Sequence, residues 1–180
     1  MSQFYKGYYP PIDGGCLCDE EFGHFLYGLE PQYTGIPYRV LHFGTGIHHR
    51  VGKVARSNCN VIGVTGSRTE YSAYQDLCES EEFHPNYWAI YADQYQLTQK
   101  ALGEFDYISL FHLCEYSNHN PQLDKRLLNF AVKSLMPGGK IILWSGSNHY
   151  SQAKYLVDLN QDLTYAYKYR SLVIYGATRD

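Results

Sequence analysis

The side chains with chemistry to offer gather around two glycines. The run Arg39-Val40-Leu41-His42-Phe43-Gly44-Thr45-Gly46-Ile47-His48-His49 leads from an aliphatic stretch into a G-x-G turn and then into histidines. Glycines placed this way let a backbone turn sharply beside a ligand and then start a helix, and Thr45 adds a hydroxyl. His42, His48, His49 and, further on, His112 bring imidazoles, the side chain whose free form titrates near neutral pH. In an α/β sheet His48, His49 and His112 are expected to approach one another at the strand ends, with Cys114 and Glu115 nearby. They lack the sequential ligand spacing of a zinc site, so no metal is assigned. His48 and His112 are instead the candidate general bases. His42, set inside an apolar strand, reads as a structural residue. Glu115 could orient a histidine, and Asp93 ends an apolar run with a carboxylate.

The elements that must hold these residues follow from the apolar pattern. Arg39–Phe43 reads as a first buried strand and Asn60–Thr65 as a second, with room between them for a short crossover helix over 47–57. Strand, glycine turn, helix and strand make a βαβ unit. Gly66-Ser67 caps a helix over 68–80 that carries Tyr71, Tyr74 and Leu77 on one face. Trp88–Asp93 is a shorter third strand, and Phe105–His112 a fourth. Asn120-Pro121 pairs an N-cap with a first-turn proline, and Leu123, Leu127 and Ala131 repeat behind it at helical spacing. Met136-Pro137-Gly138-Gly139 stops that helix before a fifth strand, Lys140–Trp144. A helix over 148–159 precedes two β-rich runs, Leu163–Tyr169 and Leu172–Tyr175. They are separated by too little chain for a helix, so they pair antiparallel. Tyr165, Tyr167 and Tyr169 alternate along the first run and suit packing under a helix or at a homodimer interface.

Ahead of the first strand, residues 1–38 read as a lead-in or cap around one short helix. Asp19 is the expected cap of a segment carrying Phe22, Phe25, Leu26 and Leu29, and Tyr5, Tyr8 and Tyr9 are placed over the sheet edge or a pocket. Residues 39–180 then form a single α/β domain.

A net charge of −3 without a basic stretch argues against nucleic acid as a partner. No apolar run approaches the roughly 20 residues of a membrane span, no signal-peptide core is visible, and a cytoplasmic location is expected. The 5 cysteines are irregularly spaced and odd in number, which favours reduced thiols over a disulfide framework. Tyrosine, at 19 residues, is abundant enough to furnish pocket walls, interfaces and core edges alike.

From Arg39 onward the chain resembles the class I (Rossmann-like) S-adenosylmethionine-dependent methyltransferases. Three segments carry the resemblance: Phe43-Gly44-Thr45-Gly46; Phe105–Tyr116 with the capped helix and Leu135-Met136-Pro137-Gly138-Gly139-Lys140; and the closing antiparallel pair. The resemblance implies a doubly wound, mostly parallel seven-stranded sheet with a C-terminal antiparallel hairpin. It implies S-adenosylmethionine as cofactor and a small molecule as methyl acceptor. In this family the crevice lies at the carboxyl ends of the strands, where strand order reverses. By position, Gly44, Thr45 and Gly46 would meet the cofactor's amino-acid portion, Thr65 its ribose and Asp93 its adenine. His112 would lie near the reacting sulfonium.

Three positions depart from the family pattern. His42 stands where an acidic residue usually precedes the first glycine by two positions. His48 replaces the third small residue of the glycine motif. Thr65 stands where the ribose-binding carboxylate is usual. They leave open an alternative, a methyltransferase-like protein that binds a ligand or partner without turnover. A third reading is an NADP-linked oxidoreductase, with Ser67-Arg68 beside a 2′-phosphate.

Overall fold

The computed structural model describes residues 17–54, 58–80 and 86–178. The tyrosines Tyr5, Tyr8 and Tyr9 lie outside the described residues. Seven strands form one sheet: β1 (Tyr38–Phe43), β2 (Cys59–Thr65), β3 (Tyr87–Tyr91), β4 (Phe105–Ser109), β5 (Leu135–Trp144), β6 (Leu163–Tyr169) and β7 (Leu172–Ala177). Their order is β3-β2-β1-β4-β5-β7-β6. Pairings from β3 through β5 are parallel, and β7 runs antiparallel to both β5 and β6. The order reverses between β1 and β4, so a crevice opens at their carboxyl ends.

Six helices accompany the sheet: α1 (Leu17–Tyr27), α2 (Arg50–Val54), α3 (Arg68–Glu79), α4 (Gln94–Leu97), α5 (Pro121–Lys133) and α6 (Tyr150–Asp158). Alternation along β1 explains how both faces are covered. Leu41 and Phe43 face one core with Tyr95 and Leu97 of α4, Leu127, Leu128 and Ala131 of α5, and Ala153 and Val157 of α6. Val40 faces the other core with Phe22, Phe25 and Leu26 of α1, Val51 of α2, and the half-buried Tyr74 of α3. Burying a side chain such as Phe22 or Leu26 contributes about 1.5–3 kcal/mol, so α1 is held to the sheet by its apolar face.

Several local expectations are revised. Asp19 lies inside α1 and is buried, so it does not cap the helix. β4 ends at Ser109, and residues 110–120 form a turn-rich loop. The Met136-Pro137-Gly138-Gly139 turn sits within β5 as an irregularity between the pairs Phe105↔Leu135 and Tyr107↔Lys140. Tyr165 and Tyr167 are exposed on the edge strand β6, whose register slips between them, whereas Tyr169 packs against Phe25 of α1. Cys18 is disulfide-bonded, against the expectation of reduced thiols, whereas Cys59, Cys78 and Cys114 are free. The short helix α4 had no signal in the apolar pattern. Asp93 supplies its N-cap, accepting from the backbone N–H groups of Tyr95 and Gln96.

Candidate functional site

β1 ends at Phe43, and the chain then turns through Gly44 (φ +81°) and Gly46 (φ +65°). The Gly44 N–H donates to the Val64 carbonyl at 2.9 Å, which ties the turn to the end of β2. Both glycines adopt the left-handed backbone that costs an ordinary residue about 1–2 kcal/mol. Space is equally restrictive. A Cβ on Gly44 would stand 3.1 Å from His112 Cδ2 and 3.1 Å from Tyr116 Oη; one on Gly46 would stand 3.2 Å from Asp19 Oδ2. Thr45, between them, is buried, and its Oγ1 has no well-formed hydrogen bond.

Beneath the turn, His42 replaces the acid expected there, and α1 returns a carboxylate to the same place. His42 Nε2 lies 3.1 Å from Asp19 Oδ1, and His42 Nδ1 lies 2.7 Å from Ser109 Oγ on β4. The pairing register explains the second contact, since His42 and Ser109 are direct neighbours across β1 and β4. The imidazole is fully buried and packs against the rings of Phe22 and Phe111, with centroids 5.3 and 5.7 Å away. The expected structural role of His42 is the one it occupies.

The three other histidines part company instead of converging. His48 is exposed in the turn before α2. His49 is buried with φ +44°; its Nε2 donates to the Glu70 carbonyl at 2.7 Å and its Nδ1 meets Tyr87 Oη at 2.8 Å. A carbonyl can only accept, so the proton sits on Nε2 and the Tyr87 hydroxyl donates to Nδ1. Burial, foremost, pushes the His49 pKa down to about 4. A histidine held neutral in the fold but free to charge when unfolded stabilises the protein above pH 6.5. That contribution, up to about 3 kcal/mol, is lost as the pH falls from 6.5 toward 4. Urea unfolding at pH 7 and pH 4.5 should show this drop in the wild type and a smaller one in His49→Gln. An equal drop in both would remove His49 as its source.

His112 follows β4. Its ring stacks on Tyr116 with centroids 4.6 Å apart, and its Nδ1 lies 3.1 Å from Glu115 Oε2. Donation from Nδ1 to the carboxylate leaves the lone pair on Nε2, bonded to the Cδ2 that faces Gly44. The hydrogen bond from His112 is the main influence holding the Glu115 carboxyl below its usual range. Ser147 Oγ stands 3.5 Å from the same oxygen. The loop that presents these groups is strained, with positive φ at Cys114, Asn118 and His119. It is fastened from α5, where the buried Asp124 accepts from the Cys114 N–H at 3.1 Å and Asn120 caps the helix.

At the end of β2, Thr65 is buried and its hydroxyl donates to Glu70 Oε2. Glu70, in the first turn of α3, carries no mark in the sequence beyond its spacing from Ser67, whose Oγ accepts from the Glu70 N–H at 3.3 Å. Burial pushes the Glu70 carboxyl above its usual range, opposed mainly by the Thr65 hydroxyl. Asp93 lies two residues past the end of β3 and not within it; it is mostly buried, and its Oδ1 accepts from the Tyr95 and Gln96 N–H groups at the start of α4. Among the described residues, no three of His, Cys, Asp and Glu form a group suited to a metal ion.

Strand order, the glycine turn at the reversal point and the closing antiparallel pair define the class I methyltransferase fold, and comparison with solved structures agrees. The N-methyltransferase NodS from Bradyrhizobium japonicum WM9, solved with S-adenosyl-L-homocysteine, superposes with a TM-score of 0.66 at 14% identity, covering 93% of this chain and 90% of that one. Magnesium protoporphyrin IX methyltransferase from Synechocystis PCC 6803, with bound S-adenosylmethionine, gives 0.64 at 12%, covering 90% and 79%. TrmN from Thermus thermophilus gives 0.61 at 15%; 79% of this chain matches, and it spans only 44% of the TrmN chain. No protein-family model matches the sequence, and no curated protein is significantly similar to it.

Proposed function

We propose that the protein is an S-adenosylmethionine-dependent methyltransferase acting on a small molecule. The observation that carries this reading is the pair of left-handed glycines at the carboxyl end of β1, where strand order reverses, with the buried Thr45 hydroxyl, which makes no well-formed hydrogen bond, between them. The bare backbone forms the cradle, since a side chain on either glycine would crowd His112, Tyr116 or Asp19. The residues present fit the cofactor: Gly44, Thr45 and Gly46 for its amino-acid portion, the end of β2 at Thr65 for its ribose, and Asp93 for its adenine.

The cofactor supplies a methyl group already activated on a sulfonium, so the protein's work is alignment and the removal of a proton from the acceptor. His112 is the base and also borders the cofactor. Glu115 fixes its tautomer with Nε2 as acceptor and stabilises the charge that forms there, which suits a hydroxyl or amine acceptor. His48, the other candidate base, is exposed in its turn, and the geometry favours His112 over it. The absence of a net positive charge favours a small acceptor over nucleic acid. An NADP-linked reaction is disfavoured by Glu70, whose carboxylate at the end of β2 would repel a 2′-phosphate.

The test is formation of S-adenosylhomocysteine from S-adenosylmethionine over a set of small hydroxyl and amine acceptors. The wild type should turn over at least one acceptor, and His112→Ala should slow it on the order of 10²-fold or more. Binding of the product without turnover of any acceptor would decide for the non-catalytic alternative.

A further inference from the structure

We propose that Glu70 is the carboxylate that receives the ribose hydroxyls of the bound nucleoside, delivered from α3, and that Thr65 is its positioning residue. The proposal deepens the cofactor reading above and rests on it.

Thr65 ends β2, beside the turn at Gly44, where a ribose would lie if the glycines cradle the rest of the ligand. A threonine there has one hydroxyl proton, and Thr65 gives it to Glu70. The same oxygen accepts from the Ser67 N–H at 3.0 Å. So engaged, the hydroxyl has little left for a ligand. Glu70 has more, because a carboxylate offers about four acceptor directions, of which Thr65 occupies one and Thr45 approaches another. Vicinal ribose hydroxyls are donors, and an ionised acceptor matches them with charge-assisted bonds.

The carboxylate is also held ready. The Glu70 N–H is capped by Ser67 Oγ, its carbonyl is gripped by His49 Nε2 at 2.7 Å, and its side chain is gripped by Thr65. Three fixed points on one residue leave little freedom to lose on binding. His49 in turn is locked to Tyr87 of β3, so the restraint reaches the sheet. The buried Thr45 hydroxyl, without a well-formed hydrogen bond, faces the same carboxylate from the glycine turn and favours its ionised form. Asp19 and His112 also act on Glu70 electrostatically, which gathers all of these groups around the same glycine turn.

The test is calorimetric titration of the full chain with S-adenosylhomocysteine and with its 2′-deoxy counterpart. The wild type should favour the ribose form by about 10-fold or more, the scale of one charge-assisted hydrogen bond. Glu70→Ala and the near-isosteric Glu70→Gln should bind S-adenosylhomocysteine roughly 10- to 100-fold more weakly and lose most of that preference. Affinity for the 2′-deoxy ligand should change far less. Thr65→Ser should keep the preference and Thr65→Val should reduce it. If both Glu70 variants retain the wild-type preference, the assignment of Glu70 is overturned and the cofactor reading stands. If the wild type binds neither ligand, the cofactor reading fails and the assignment falls with it.

Discussion

His42→Ala should destabilise the protein by about 3–5 kcal/mol, the scale on which breaking a buried polar pair is felt. Removing the imidazole leaves the Asp19 carboxylate without the nitrogen 3.1 Å away and Ser109 Oγ without the one at 2.7 Å, all in a region closed to water. It also opens a cavity between Phe22 and Phe111, which adds a packing cost to the polar one. Urea unfolding should show a lower midpoint with an unchanged slope. The double variant His42→Leu with Asp19→Leu should be less destabilised than the sum of its two parts, because neither polar group is then stranded. A loss below about 1 kcal/mol for His42→Ala would show that the fold does not depend on the pair.

Gly44→Val should abolish most nucleoside binding while leaving a folded protein. Backbone strain at φ +81° costs about 1–2 kcal/mol. The new side chain would also push into His112 and Tyr116, each 3.1 Å from the Cβ position. Displacing these two side chains would distort the turn that faces the crevice. Affinity for S-adenosylhomocysteine should fall on the order of 100-fold, equivalent to about 3 kcal/mol. Gly138→Ala is the matching control. Its φ of +78° imposes similar strain, but its Cβ would meet nothing within 4 Å, and it belongs to the irregular start of β5. Comparable loss of binding in both variants would mean that strain alone, and not the cradle at Gly44, explains the effect.

The architecture was legible because each strand announces itself locally. Val61-Ile62 and Ile141-Ile142-Leu143 are apolar runs ended by glycine or polar residues, and the short gap at Arg170-Ser171 forces β6 and β7 to pair antiparallel. Helix α4 was not legible, since four residues give no periodicity and its cap, Asp93, reads equally well as the end of a strand. The tyrosines of β6 alternate as a buried face would. Only the sheet order shows that they lie on an edge.

The site was legible at its glycines and illegible at its acids for a physical reason. A glycine's role is local, fixed by the backbone angle of its own turn. A carboxylate's role is set by where its oxygens end up, and a helix packed on the sheet can deliver one as well as the strand itself. Read along the strands, His42 and Thr65 are two missing acids. In the folded chain, Asp19 of α1 reaches His42 and Gly46, and Glu70 of α3 reaches Thr65. The histidines show the converse. Their places at the strand ends suggested a cluster, but a left-handed His49 turns inward to Tyr87 while His48 remains at the surface.

The most direct test is a parallel calorimetric titration of the wild-type protein with S-adenosylmethionine, S-adenosylhomocysteine and NADPH. Saturable one-to-one binding of both sulfur nucleosides, with none of NADPH, is the predicted result. Binding of NADPH alone, or of neither sulfur nucleoside below millimolar concentration, would contradict the assignment of the glycine crevice to S-adenosylmethionine.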